Sequence, residues 1–476
     1  MSEAPKRGIV FRDPIHNLIH FDEDDSFILD LIDTVPMQRL RRVRQLGVSW
    51  LTYHGAEHSR FSHSMGVLHV AGEILHTLRK RYRGNEDVAG ILKNYHRTVL
   101  AAALLHDIGH APFSHAMERL FPANADHEKR TVSLINNPDL GIPAKLTAAG
   151  IKVEEVVSIL QKLHVKRFLV DIVSSQLDAD RMDYLLRDSL FTGVEYGQYD
   201  LDWVTAHLCL GREPLSGEEE EPEGQRLRLC LDSKRGLYAA EQLIIARFHM
   251  TMQVYFHPTT RMWEALLLCL LQRAAGISNE TNELLKISDR LPGTPETLMK
   301  FLQNKGDVTD KDFLRLDDTT LTTALESWRD SGDNFIAELS GAFLDRRKRL
   351  PDGTRLFECI DLSGKDLVAF GSLRWALQSS PEKFPTWKWE LDDIKNWPSY
   401  KDFFHTLKKT HGAKNAEITT SIMLSDGNLE SIAVPVEFRS FLFKSMGENS
   451  VDVVRLYVHH TIAEEIKSLV LKFNLG

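Results

Sequence analysis

The chain is 476 residues long, 43% hydrophobic and 26% charged, with a formal net charge of -9 at pH 7. That length exceeds a single ordinary core, so the composition predicts a soluble protein with one large domain and an appended region. The acidic balance excludes a general nucleic-acid coat, because neutralising a phosphate polymer needs a basic surface, and nucleic acid is not expected as a partner.

The start, MSEAPKRGIV, lacks the apolar run of a signal peptide. The longest apolar stretch, Ala265 to Leu271, is too short to span a bilayer, so no membrane association and a cytoplasmic location are expected. Cys209, Cys230, Cys269 and Cys359 show no paired metal spacing and read as reduced packing thiols. In chain order, apolar residues recur at three- and four-residue intervals over Phe27 to Leu46, Val67 to Leu78 and Val99 to Leu105, then again over Asp178 to Arg187 and Gly236 to Leu271. This spacing predicts helices, with few strand-like alternations before residue 205. A hairpin is predicted from His207 to Leu210 and Leu227 to Leu231, around the acidic loop SGEEEEPEG. Beyond about residue 275 the texture becomes mixed. Strand-like runs cover Ala416 to Leu424, Ser431 to Val436 and Val451 to Val458, and an amphipathic helix follows over Ile462 to Phe473. The fold class is therefore mainly α: a helical bundle with a short β-hairpin over residues 1–275, then an α+β C-terminal region over 276–476.

The segment Thr98 to Leu105 is almost wholly apolar and delivers His106 and Asp107 at its end, followed by Gly109 and His110. Burying an imidazole and a carboxylate without partners costs roughly 2–7 kcal/mol for the polar group alone, so such a pair is hydrogen-bonded or metal-bound. These ligand types suit a divalent cation such as Mn, Mg, Fe or Zn, but two ligands are too few for a tight site. His63, in EHSRFSHSMG, and Asp180, in QLDADRMDYLLRD, are the candidates to complete it. Taken singly these signals are weak, since the chain has 20 His and a His-Asp dipeptide is expected about once by chance.

The order of these residues, together with the words DPIHN, PMQRLRRVRQLG, SRFSHSMGVLH, LLHDIGHAPFSH and DADRMDYLLRD, resembles the HD-domain deoxynucleoside triphosphate triphosphohydrolases, which have vertebrate and bacterial, dGTPase-like members. The resemblance covers roughly residues 8 to 265. It implies that His63, His106, Asp107 and Asp180 ligate a metal, and that a dNTP is cleaved to deoxynucleoside and inorganic triphosphate. His127, within ADHEKR, matches the family's proton carrier for the leaving 5′ oxygen. Without the resemblance it reads as a solvated loop residue. Glu118 stands where the vertebrate member has an Asp paired with that His. His110 and His115 match phosphate-contacting positions, and Arg60, Arg181 and Arg247 match positions that touch the triphosphate, as a polyanion requires. Gln45, Leu46, Tyr184, Asp188 and Tyr255 match residues that hold the deoxyribose. Phe256 replaces a Gln near the base, so base preference does not carry over. Asp33, Gln38 and Arg41 match an activating guanine-nucleotide site, where Arg12 and Ile9 depart from the pattern; their plain alternative is helix-surface ion pairing.

The resemblance further implies a homo-oligomer, a tetramer or hexamer, regulated by an activating nucleotide. A role in antiviral or phage defence through dNTP depletion is a hypothesis without residue-level support. Two other readings stay open. One is a different HD phosphohydrolase activity, such as a 5′-nucleotidase, cyclic-nucleotide phosphodiesterase or alarmone hydrolase. The other is a catalytically silent nucleotide-sensing module, which predicts a missing ligand or proton carrier.

Overall fold

Helices of very different exposure build the N-terminal half of the computed structural model, which describes residues 9–21, 25–120, 126–213, 227–280, 284–363, 367–393, 422–440 and 453–475. At its centre the helix His96–Leu105 is buried at every position from Thr98 onward. It packs against the long helix Arg60–Arg81, which also packs against the helix Ala179–Thr192. Three buried elements thus meet side by side, and their polar residues are forced toward one another.

Two predicted helices are broken by proline. The Phe27 to Leu46 stretch divides into Phe27–Ile32, Val35–Arg39 and a 3-10 turn Leu40–Arg42. Pro36 has no N–H to continue a helix and fits only its first turn, so the break falls just before it, where Thr34 is extended. The Gly236 to Leu271 stretch divides into Leu237–Met250 and Pro258–Ser278, joined by a π-helical turn, Thr251–Tyr255. Pro258 opens the second helix, and His257 caps it by accepting from the Thr259 N–H at 3.2 Å.

The strands β1 (Ile9–Asp13) and β2 (Asn17–Phe21) form an N-terminal hairpin that the sequence reading did not anticipate. Its first strand is largely exposed, so no alternation of apolar residues announces it. The predicted second hairpin is present as β3 (Leu208–Arg212) and β4 (Leu227–Asp232), antiparallel with Cys209 opposite Cys230. The acidic loop between them, residues 216–224, lies outside the described residues. The hairpin is not isolated, for β7 (Met423–Ser425) adds parallel to β4 and β8 (Val434–Pro435) adds antiparallel to β7. Residues 416–421 of the predicted strand also lie outside the described residues.

The C-terminal region is α+β. Helices Glu296–Gln303, Asp318–Trp328 and Asn334–Leu344 come first. A three-stranded antiparallel sheet follows, with β9 (Val454–His459) between β5 (Phe357–Asp361) and β6 (Trp389–Asp393), and the helix Ala463–Lys472 comes after it. The principal core runs from Ile19 to Tyr457, and a smaller core gathers Leu362, Leu373, Leu456, Val458 and Ile466. The four cysteines are free, three buried and Cys359 exposed. Among the described residues no helix is long and apolar enough to cross a membrane.

Candidate active site

His63 sits in the first turn of Arg60–Arg81, His106 follows the end of His96–Leu105, and Asp180 lies in the first turn of Ala179–Thr192. Their ligand atoms converge within 4.8 Å of one another. His63 Nε2 stands 3.0 Å from Asp180 Oδ1, and His106 Nε2 stands 3.8 Å from the same oxygen. The Nδ1 of His106 donates to the Ala103 carbonyl at 2.8 Å, which leaves the lone pair on Nε2. That buried Nε2 has no hydrogen-bond partner among the described residues. An orphaned imidazole nitrogen facing a carboxylate and a second imidazole is a fit donor set for a divalent cation. His63, His106 and Asp180 would hold it, with Asp107 beside them.

Asp107 Oδ1 lies 3.3 Å from His106 Nε2 and 3.1 Å from His110 Nε2, while Oδ2 accepts from Arg60 Nη1 at 2.6 Å. Burial pushes its carboxyl upward, but the His106 imidazole, the Arg60 guanidinium and the hydrogen bond with His110 hold it well below the usual range. His63 is lifted to about 10, because hydrogen bonds to Asp180 and Asp183 outweigh the cost of burying its charge. A cation held at Nε2 would take the place of that proton.

Behind His63 lies a set of residues that sequence reasoning left without a role. Asp183 Oδ2 accepts from His63 Nδ1 at 2.8 Å, and Asp183 Oδ1 pairs with His16 Nε2 at 2.7 Å. Arg187 reaches Asp183 through Nε and Nη2, both at 2.8 Å, and Asp13 through Nη1 and Nη2 at 3.0 and 3.1 Å. The outer carboxylate orients the imidazole and raises its basicity as a ligand. Burial alone would raise Asp183, but Arg187, His16 and His63 together hold it well below the usual range. The DPIHN word, which supplies Asp13 and His16, and the i, i+4 spacing of Asp183 and Arg187 were the available signals.

A second cluster adjoins the first. His110 Nδ1 and His127 Nδ1 both face Glu118 Oε1, at 2.9 and 3.1 Å, and their rings stack with centroids 4.0 Å apart. Burial pushes His110 down to about 4, reinforced by the charge of Arg60 and His127. Burial also acts against a charged His127, but Glu118 more than compensates and its imidazole is raised. The two stacked rings therefore differ in electrostatic setting: the charged form is disfavoured at His110 and favoured at His127. The helix His115–Glu118 carries His115 in its first position, and that side chain lies outside the described residues.

His63, His106, Asp107 and Asp180 line one cavity of about 290 Å³ with His110 and His127, together with Gln45, Leu46, Arg60, Arg181, Tyr184, Asp188, Arg247 and Tyr255. Arg60 also donates to Ser114 Oγ through Nε and Nη2 at 3.0 and 2.8 Å. Arg181 pairs with Asp178, the N-cap of its helix, and Arg247 donates to Gln176 Oε1. Asp188 accepts from Tyr255 OH at 2.9 Å and pairs with His58 at 2.8 Å, and the rings of Tyr255 and Tyr184 meet edge-on with centroids 6.0 Å apart. Phe256 is fully buried and does not line the cavity. The loop behind Asp107 is strained: Phe113 and Ser114 both take positive φ, 49° and 48°. Such conformations cost about 1–3 kcal/mol each and persist where the surroundings over-determine them. Gly47, itself at φ 52°, allows this, since a Cβ there would come within 3.0 Å of the Phe113 carbonyl oxygen.

Asp33, Gln38 and Arg41 do not line this cavity. Arg41 Nε donates to Gln38 Oε1 at 2.9 Å, and its guanidinium lies 3.5 Å from the Phe61 ring centroid. Gln38 donates to the Ile32 carbonyl at 2.9 Å, and Asp33 is exposed at the end of the same helix.

Helical packing, a buried imidazole-carboxylate cluster and an adjoining histidine-glutamate group define a candidate hydrolase site, fit to hold a metal, on a mainly α scaffold. The chain belongs to the HD-domain family of phosphohydrolases. Residues 60–188 match the HD domain, and residues 225–291 match the HD associated region. The chain is 33% identical over 339 residues to the uncharacterized protein YwfO of Bacillus subtilis, covering 71% of this chain and 70% of that one. It is 29% identical over 307 residues to the deoxynucleoside triphosphate triphosphohydrolase SAMHD1 homolog of Dictyostelium discoideum, covering 61% of this chain and 53% of that one. With SAMHD1 of Danio rerio it shares 31% identity over 247 residues, covering 44% of this chain and 39% of that one. The fold is that of a phosphohydrolase from Bacteroides thetaiotaomicron, with a TM-score of 0.69 at 24% identity over 95% of this chain and 100% of that chain.

Proposed function

We propose that the chain hydrolyses deoxynucleoside triphosphates to deoxynucleoside and inorganic triphosphate, in a reaction that depends on a divalent cation. One observation carries this reading. A single cavity joins the His63, His106 and Asp180 cluster to His127, three arginines and the Tyr184, Asp188 and Tyr255 group. Likeness to relatives named as deoxynucleoside triphosphate triphosphohydrolases supports it.

A bound cation, Mn, Mg, Fe or Zn, supplies Lewis acidity toward a phosphoryl oxygen and lowers the pKa of an attacking water. Arg60, Arg181 and Arg247 neutralise and orient the triphosphate, with His110 as a further phosphate contact. His127, whose charged form the Glu118 carboxylate favours, is the group placed to deliver a proton to the leaving 5′ oxygen. Tyr184 and Tyr255 close on the deoxyribose, and Gln45 and Leu46 flank it. The 3′-hydroxyl approaches Asp188, whose oxygens are already held by His58 and Tyr255. In this reading residues 1–275 carry the reaction, residues 276–476 serve assembly or regulation, and the protein works in the cytoplasm as an oligomer. Asp33, Gln38 and Arg41 offer a carboxylate, an amide and a guanidinium to an activating nucleotide.

The test separates reaction products by anion exchange after incubation with each dNTP and rNTP plus Mn or Mg, using His106→Ala/Asp107→Ala as control. Deoxynucleoside and triphosphate are expected only with the intact chain. If no dNTP is turned over even with a panel of other nucleotides added as activators, the substrate assignment is wrong.

A further inference from the structure

Glu338, His459 and His460 form a further group of ligand atoms within 4.8 Å of one another, and none of the three lines the HD cavity. Glu338 lies on the helix Asn334–Leu344, whose Phe335, Ile336 and Leu339 are buried in the principal core. His459 ends β9 in the C-terminal sheet, and His460 opens the 3-10 turn His460–Ile462 that follows it. The His459 side chain is only 1% exposed, with its ring near Phe335 and Phe357 at centroid distances of 4.9 and 5.5 Å.

A buried imidazole must place both of its nitrogens. His459 Nδ1 lies 3.0 Å from Thr461 Oγ1, closer than the Thr461 N–H at 3.5 Å. Nδ1 accepts from that N–H as the cap of the turn, and Nε2 is the nitrogen turned toward Glu338. The buried Nε2 has no hydrogen-bond partner among the described residues, and it faces Glu338 Oε2 at 3.7 Å, beyond hydrogen-bond range. His460 Nε2 faces the other carboxylate oxygen, Oε1, at 3.3 Å, which is long for a charge-assisted hydrogen bond. Two ligands at about 2.0–2.1 Å from one tetrahedral ion lie roughly 3.3–3.4 Å apart. The observed separations are close to that ligand-to-ligand spacing.

We propose that Glu338, His459 and His460 bind a second divalent cation, zinc-like in preference, through two imidazoles and one carboxylate. Glu338 and His460 are partly exposed, which gives the ion an entry path and leaves a fourth position to water. The ion ties a helix of the principal core to the strand that anchors the smaller one. Its role is to lock the C-terminal sheet onto the helical body.

Co2+ is the probe, added to the tag-free, chelator-treated full chain carrying His106→Ala/Asp107→Ala to disable the HD cluster. One equivalent is expected to bind and give the intense visible absorption of a four-coordinate Co2+ site. Adding Glu338→Gln or His460→Ala to this background is expected to weaken binding at least 100-fold and to abolish that absorption. Glu338→Gln preserves shape, so it decides the matter if circular dichroism shows His460→Ala to be misfolded. A background that binds no Co2+ with this absorption means that the three residues are only hydrogen-bonded to one another. Binding that survives both substitutions places the ion elsewhere. Either result overturns the proposal.

Discussion

In the proposed reaction His127 donates a proton, which it can do only while it holds one at the pH of turnover, and Glu118 is the group that favours its charged form. Burial works against the charged imidazole, and the Glu118 carboxylate 3.1 Å away reverses that effect. Glu118→Gln keeps the shape and removes the charge, so the His127 pKa falls. An acid that must be protonated then loses its proton at lower pH. The alkaline limb of kcat/KM is expected to move to lower pH while the acid limb stays in place, and a pH-rate profile checks it. An unshifted alkaline limb would show that His127 is not the donor. His63, His106, Asp107 and Asp180 were legible in the sequence because their residue types and local words announce them. Asp183 was not, although it stands three residues from Asp180, because its partner His63 lies 120 residues away and only packing reveals the contact. The pairing of Arg60 with Asp107 was hidden in the same way, since each residue was read for its own contact with substrate or metal.

At the scale of elements, the site depends on how closely the helices Arg60–Arg81 and Ala179–Thr192 approach. Gly66 sets that distance, because a Cβ built there would fall 1.8 Å from Asp183 Oδ1 and 2.4 Å from Arg187 Nη2. Both atoms belong to the buried group that orients His63, so neither can yield without disturbing it. Gly66→Ala is expected to destabilise the fold by about 1–3 kcal/mol, as overpacking does. It should also weaken cation binding by about 10–100-fold, the scale of losing an outer-shell partner. Thermal melting and calorimetric titration with Mn would measure the two effects. A stable variant with unchanged Mn affinity would mean that the helices part without cost. Periodicity found these helices, because their buried faces repeat at the helical spacing. It could not find the π turn Thr251–Tyr255 within a continuous apolar pattern, although that turn is what brings Tyr255 to the cavity. Nor could it see the β1–β2 hairpin, whose purpose lies in Asp13 and the neighbouring His16 rather than in an apolar face.

At the scale of the whole molecule, the change of texture near residue 275 marks no boundary, since helices continue to Leu344 and the packing runs straight across it. The helix Pro258–Ser278 buries Trp263, Leu267, Leu270, Leu271 and Ala274, and it packs against both Glu296–Gln303 and Asn334–Leu344. Phe343 meets both Trp263 and Phe113 edge-on, at centroid distances of 6.3 and 5.9 Å. The strained loop behind Asp107 depends on the same region, since Asp318 Oδ1 accepts from the Phe113 N–H at 2.9 Å and Asp318 Oδ2 from the Arg44 N–H at 3.0 Å. Buried Arg39 joins the two sides as well, donating to the Leu316 carbonyl at 2.7 Å and the His110 carbonyl at 2.8 Å. A chain cut after residue 275 would expose several large side chains, each worth about 1.5–3 kcal/mol when buried. It would also strand Arg39 and leave the positive-φ loop without its anchor. Such losses exceed the 5–15 kcal/mol by which most folded domains are stable. The 1–275 fragment is therefore expected to show no cooperative thermal transition and no Mn binding, whereas the full chain shows both. A fragment that melts cooperatively and binds Mn as tightly as the full chain would demonstrate that the HD cluster is held by the N-terminal helices alone.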